Sequence, residues 1–202
     1  IQIAPQMLAL LSRLNNRRDI VFVDQRGTGR SAPLECEDPQ RETLADQADP
    51  DRQLKLLMQC KRRLLTLPYI RQASDLGFFT TTLAMQDLDA VRRQLGAARI
   101  DLVGASYGTR AGLEYLRAFP DAVRRVVLDG VAPPDMALPA SFSTDGQAAF
   151  DALLAACDAE SACHREHPTL RTDWAALLKS LPKQVSAPHP LTGRPDTFTL
   201  TR

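Results

Sequence analysis

The chain has 202 residues, 44% hydrophobic and 24% charged, with 25 Lys and Arg set against 24 Asp and Glu. These are ordinary values for a soluble globular protein, with room for one sizeable domain or a domain and a small appendage. They leave no net charge that points to nucleic acid, and no apolar stretch approaches the length of a membrane span.

In chain order, Met7, Leu8, Leu11 and Leu14 give the i, i+3, i+4, i+7 spacing of a helix over residues 4–14. The chain opens at Ile1 almost inside this pattern and stops at Arg202 within the strand-like run Thr199-Leu200-Thr201, so it reads as an internal fragment. Ile20-Val21-Phe22-Val23 is a short β-branched run suited to a parallel strand buried on both faces. It enters the loop Asp24-Gln25-Arg26-Gly27-Thr28-Gly29-Arg30-Ser31. Residues 33–50 form an acidic, proline-containing surface excursion that includes Glu37, Asp38 and Pro39, and residues 54–67 a short helix. Its run Lys61-Arg62-Arg63 reads as a solvated face.

Leu83, Leu88, Val91 and Leu95 mark a further amphipathic helix, stopped by Gly96, with Asp89 and Arg93 spaced for an i, i+4 ion pair. Ile100 to Val103 is a strand, Thr109 to Phe119 a helix ended by Pro120, and Val126-Val127-Leu128 another strand closing at Asp129-Gly130. Alternation of helix and strand predicts an α/β fold: a parallel sheet with helices on both faces, joined by right-handed crossovers. After Pro133-Pro134 the pattern changes to two helical faces, Phe150, Leu153, Leu154 and Cys157, then Trp174, Leu177, Leu178 and Leu181. They suggest a helical cap over the sheet, followed by a turn at Thr192-Gly193-Arg194-Pro195 between short polar strands. The expected division is a partial core over 1–138 and a partial cap over 139–202.

The four cysteines, Cys36, Cys60, Cys157 and Cys163, allow three connectivities. Sequence order favours Cys36–Cys60 and Cys157–Cys163, which loop entropy would make stabilising by about 3 and about 2 kcal/mol. That pairing implies an oxidising compartment, secreted or periplasmic; the alternative is four buried free thiols in a cytosolic protein. The spacing fits no zinc template, and no metal is expected.

The most informative stretch is Gly104-Ala105-Ser106-Tyr107-Gly108. Chance alone puts a G-x-S-x-G in about one chain in ten to twenty of this length, so the context must carry the reading. A strand precedes it and a helix follows, as a nucleophile elbow requires. Such a turn holds the serine in a strained conformation with its hydroxyl clear of the sheet, and the helix aims its free N–H groups at the same place. A Cβ at Gly104 or Gly108 is expected to collide with a neighbouring strand or helix. The segment Gly27-Thr28-Gly29-Arg30-Ser31-Ala32 formally fits a dinucleotide fingerprint, but Pro33 and an acidic loop stand where the helix would open.

Together, the D-Q-R-G-x-G-x-S loop at residues 24–31, the elbow with Thr109-Arg110 behind it, and Asp129-Gly130-Val131 before a cap with paired cysteines resemble the α/β-hydrolase superfamily. More narrowly, they resemble its proline iminopeptidase and tripeptidyl aminopeptidase-like serine peptidases. The resemblance covers most of the chain and is strongest over residues 19–134. It implies an α/β-hydrolase fold with a helical cap, incomplete in this chain, and Ser106 as nucleophile with the Tyr107 backbone N–H as one oxyanion donor. It implies no cofactor. Asp24 and Arg26 are expected to bond backbone groups and brace the elbow, with Gly27 and Gly29 allowing tight turns; Arg30 is a candidate substrate contact.

In this superfamily the triad runs Ser, then Asp or Glu, then His along the chain. The histidines after Ser106 are His164, His167 and His189, all within the expected cap, and the first two read as part of an exposed loop. The acid and base are therefore expected beyond Arg202, the second oxyanion donor before Ile1, and Asp129 as a turn residue. The implied activity is an exopeptidase of the aminopeptidase type acting on peptides through an acyl-enzyme. An esterase on small esters and a non-catalytic binding module are the alternatives. The sequence carries no signal for oligomeric state.

Overall fold

Helix α5 (Thr81–Gln94) shows how local chemistry sets an element's ends in this protein, a computed structural model of which describes residues 4–36 and 42–201. Ile1, Glu37, Asp38, Pro39 and Arg202 lie outside the described residues. The Thr80 Oγ1 accepts from the Leu83 N–H at 3.4 Å, satisfying one of the free donors of the first turn. At the other end Gly96 takes φ +68°, and the N–H groups of Gly96 and Ala97 fold back on the carbonyls of Arg93 and Arg92. The expected Asp89–Arg93 pair forms at 3.1 Å.

Strand β1 (Ile100–Ala105) leads through Ser106 into helix α6 (Tyr107–Ala118), and strand β2 (Val123–Asp129) returns parallel to β1 with Leu102 opposite Val126 and Ala105 opposite Asp129. The helix packs on the pair: a Cβ on Gly112 would stand 3.4 Å from Leu128 Cδ2. Its other flank meets α5 in a core of Ala84, Met85, Tyr115 and Ala122, with Leu88, Ile100, Leu102 and Phe119 around it. Tyr115 is fully buried, and its hydroxyl donates to Asp89 Oδ1 at 2.9 Å. Burial pushes the Tyr115 phenol up to about 12, and the Asp89 carboxylate beside it acts in the same direction.

Two expectations about elements fail in this part of the chain. The helix expected over residues 4–14 is broken at Leu11 into α1 (Ala4–Leu10) and α2 (Ser12–Asn15). Ile20 to Val23 forms no strand, and Val21 and Val23 are exposed. A parallel strand exists through the neighbour that bonds its N–H and C=O groups, and no neighbour pairs with this segment among the described residues.

Contacts divide the chain into two compact units, residues 1–36 with 60–135, and residues 37–59 with 136–202. The second unit holds α3 (Leu44–Ala48), α7 (Ala140–Ala159), α8 (Ser161–Glu166), α9 (Leu170–Lys179) and the antiparallel strands β3 (Lys183–Pro188) and β4 (Pro195–Leu200). Between the units' sequences runs α4 (Pro50–Leu64), which begins four residues earlier than the apolar pattern suggests because Pro50 suits a first helical position. His164, expected with His167 in an exposed loop, lies in α8, which is helical because Glu160 caps it, accepting from the N–H groups of Ala162 and Cys163; His167 is the residue that ends it. Phe150 and Trp174 pack with ring centroids 4.7 Å apart and planes tilted by 47°, and Leu44 N–H donates to Asp196 Oδ2 across α3 and β4.

All four cysteines are oxidised, as Cys36–Cys60 and Cys157–Cys163. Two disulfides suit an oxidising compartment. No helix among the described residues is long and apolar enough to cross a membrane.

Candidate active site

Ser106 has φ 51° and ψ −118°, a conformation that costs an L-residue of order 1–3 kcal/mol and persists only where the surroundings enforce it. The surroundings here can be named. The Ser106 N–H donates to the Asp129 carbonyl at 3.0 Å, extending the β1–β2 ladder by one bond. The Ser106 carbonyl accepts twice from Thr109, from its N–H at 3.0 Å and its Oγ1 at 2.6 Å. Thr109 is fully buried, and the same Oγ1 accepts from the Ala132 N–H at 2.9 Å, tying the loop after β2 to the elbow. The serine backbone is thus held on both sides while the residue stays exposed.

The Ser106 hydroxyl makes no capping bond to α6, which leaves it available as a nucleophile. Tyr107 is the first residue of that helix, where N–H groups have no intrahelical acceptor, so its donor is not spent within α6. A strained serine with a free hydroxyl, next to an unspent backbone donor at a helix N-terminus, can attack a carbonyl and stabilise the oxyanion that forms.

The two glycines of the elbow are not equivalent. A Cβ on Gly104 would stand 2.3 Å from the Gly108 carbonyl oxygen and 3.1 Å from the Thr109 nitrogen, both backbone atoms. A Cβ on Gly108 would meet nothing within 4 Å. The expected collision at Gly108 is therefore corrected: the close approach is one-sided, because the helix start folds over position 104 while position 108 faces open space.

The loop at residues 24–31 is held by its own backbone and by α5. Gly27 takes φ +86° and Gly29 φ +53°, and a Cβ on Gly29 would strike the Asp24 carboxylate. Asp24 Oδ2 accepts from the Arg30 N–H at 3.1 Å, which holds the carboxyl below its ordinary range. Arg26 forks onto Asp87 of α5 at 2.6 and 2.7 Å and also donates to the Phe78 carbonyl at 2.7 Å. The bond from this loop to the elbow comes from Gln25, whose Nε2 donates to the Tyr107 hydroxyl at 3.0 Å. Asp87 is not legible as a site residue in the sequence, since polarity alone does not separate it from ordinary helix positions, and Gln25 and Thr109 stand there as parts of the motifs without a role of their own. A cleft of about 800 Å³ opens beside the loop, lined in part by Asp24, Arg26, Tyr69 and Asp87, and Ser106 is not among its lining residues.

Asp129 holds the elbow through its backbone carbonyl, and the residue is exposed. The histidines lie in the second unit. His164 and His167 are exposed, and His189 is buried with both ring nitrogens engaged. Its Nδ1 accepts from the N–H groups of Leu191 and Thr192 at 3.1 and 3.2 Å, so the proton sits on Nε2, which donates to the Glu42 carbonyl at 2.9 Å. That ring closes the turn between β3 and β4.

Residues 4–156 match the model of the alpha/beta hydrolase fold family. Over 120 residues the chain is 38% identical to a tripeptidyl aminopeptidase of Streptomyces lividans, covering 57% of this chain and 22% of the relative. It is 31% identical over 134 residues to the serine protease Hip1 of Mycobacterium tuberculosis, covering 62% and 25%. With a proline iminopeptidase of Aeromonas sobria the identity is 29% over 116 residues, covering 57% and 21%. The matched stretch spans less than a third of the length of each of these relatives.

Proposed function

The chain belongs to the α/β-hydrolase fold family, and on that premise we propose that it carries the nucleophile of a serine peptidase of the aminopeptidase type. The observation that carries the reading is the enforced backbone of Ser106, at φ 51° and ψ −118°, with its hydroxyl uncommitted at the start of α6. A structural turn has no need of that strain. In the proposed reaction Ser106 Oγ attacks the substrate carbonyl and gives its proton to a general base. The tetrahedral oxyanion takes the Tyr107 N–H, the amine leaves with a proton, and water hydrolyses the acyl-enzyme.

The base is none of the three histidines in the chain. His189 has both ring nitrogens engaged, Nδ1 by its own turn and Nε2 by the Glu42 carbonyl. On this reading the stretch supplies nucleophile and one oxyanion donor and does not turn over alone. Residues 1–138 belong to the catalytic core and 139–202 to a cap that restricts the substrate to peptides with a free N-terminus. The two disulfides support export from the cytosol. The D-Q-R-G loop and the named peptidase relatives support peptide over ester substrates.

A fluorophosphonate probe applied to the intact protein is expected to label Ser106, and Ser106→Ala to abolish labelling and turnover together. Labelling that survives the substitution overturns the assignment. Peptide amides with free N-termini are expected to be cleaved and their N-blocked counterparts spared; turnover confined to aryl esters defeats the peptidase reading.

A further inference from the structure

We propose that Gln25 and Thr81 are positioning residues that clamp the Tyr107 side chain and so hold its backbone N–H in line for the oxyanion. The proposal rests on the reading of Ser106 as nucleophile.

Tyr107 is 48% exposed, so packing alone does not fix its ring. Its hydroxyl is instead held from two sides, by Gln25 Nε2 at 3.0 Å and Thr81 Oγ1 at 2.8 Å. The three residues come from separate places in the chain: the loop at residues 24–31, the first turn of α5 and the first turn of α6. A phenol is one donor and one acceptor in this arrangement, and both capacities are used.

Each jaw of the clamp is itself anchored. The Gln25 carbonyl accepts from the Thr28 N–H at 2.9 Å and from Thr28 Oγ1 at 2.7 Å. The neighbouring Arg26 fork onto Asp87 binds the loop to the same helix that carries Thr81. Thr81 follows the capping residue Thr80, so its backbone is fixed by the helix start. Loop, α5 and α6 thus form a closed circuit through the tyrosine hydroxyl. Keeping both hydroxyl bonds restricts how far the Tyr107 peptide can rotate out of line. This accounts for a tyrosine at a half-exposed position where a phenylalanine would present the same ring without the circuit. An oxyanion donor works by being aimed before charge develops, so the clamp acts on the transition state and not on substrate affinity.

The test uses the intact protein and a cleavable peptide. Tyr107→Phe is expected to lower kcat about tenfold, less than the 10²–10³ typical of deleting an oxyanion donor, with KM changed by less than about twofold. Affinity for a peptide aldehyde, which forms an oxyanion on Ser106, is expected to fall by the same factor as kcat, while affinity for the matching peptide alcohol holds. Thr81→Val is expected to lose part of this, Thr81→Ser to recover it, and Tyr107→Phe combined with Thr81→Val to be no worse than Tyr107→Phe, since both remove the same bond. Thermal unfolding of each variant separates loss of fold from loss of alignment. Unchanged kcat in folded Tyr107→Phe, a loss confined to KM, or equal losses of aldehyde and alcohol affinity overturns the clamp while leaving Ser106 in place. Absence of Ser106-dependent labelling in the unmodified protein overturns the nucleophile and the clamp together.

Discussion

Alanine at Gly104 and alanine at Gly108 should act in opposite directions, although both replace a glycine of one pentapeptide. At position 104 the new Cβ would lie 2.3 Å from the Gly108 carbonyl oxygen and 2.6 Å from its carbon. Ordinary contact needs roughly 1 Å more than that, and the obstructing atoms are backbone, so the start of α6 must move away from β1. Overpacking of a side chain costs about 1–3 kcal/mol, and displacement of backbone belongs at or above the top of that range. The movement also shifts the Ser106 carbonyl that Thr109 holds. A displacement of about 1 Å at a reacting group is enough for a loss near 10²-fold in kcat/KM. At position 108 the Cβ meets nothing within 4 Å and the residue is helical, so alanine should be neutral or stabilising by up to about 1 kcal/mol. Thermal or urea unfolding of both variants, with the rate of fluorophosphonate labelling, measures the contrast. For a chain of this size about 3 kcal/mol corresponds to a fall of roughly 6–12 °C in Tm. Gly104→Ala with unaltered Tm and labelling, or Gly108→Ala as damaging as Gly104→Ala, would falsify the one-sided packing of the elbow.

The buried carboxylate Asp89 takes Arg92 at 2.8 Å, Arg93 at 3.1 Å and the Tyr115 hydroxyl at 2.9 Å. Arg93 is exposed, but Asp89→Ala strands the largely buried Arg92 and the buried Tyr115 hydroxyl and should cost about 3–5 kcal/mol, read by urea unfolding; a loss under about 1 kcal/mol refutes the network's importance. The Arg117 guanidinium and Thr82 hydroxyl hold the Glu114 carboxyl down from 4.5 to about 2. Its stabilising effect is complete above the ordinary value and is lost as pH falls through that window, so wild type should lose more stability than Glu114→Gln between the two; parallel curves contradict this. Thiol titration of the denatured, unreduced protein should find no free thiol, given Cys36–Cys60 and Cys157–Cys163. Four titrating thiols sink the oxidised framework.

Signals that act within a few residues are readable from the sequence. Gly96 stops α5 because a left-handed C-cap is a property of that residue, and Pro120 lies just past the end of α6 because its nitrogen cannot donate. The strand–turn–helix around Ser106 follows from two glycines and the apolar run before them. The signals that fail depend on partners elsewhere. Ile20 to Val23 has the composition of a buried strand, yet forms none among the described residues, because pairing is a relation between segments. His189 carries nothing in its neighbourhood to announce that two backbone N–H groups and a distant carbonyl take its ring.

By itself, then, the sequence determined that this chain has an elbow, where it stands and which hydroxyl it presents, since turn sterics and helix periodicity are local. Tertiary structure alone decided which glycine the elbow requires, that Thr109 holds the serine carbonyl, and that Gln25 and Thr81 meet on the Tyr107 hydroxyl. The reason is physical: a Cβ clash or a hydrogen bond turns on a few tenths of an ångström between atoms that the chain itself holds far apart, 82 residues in the case of Gln25 and Tyr107.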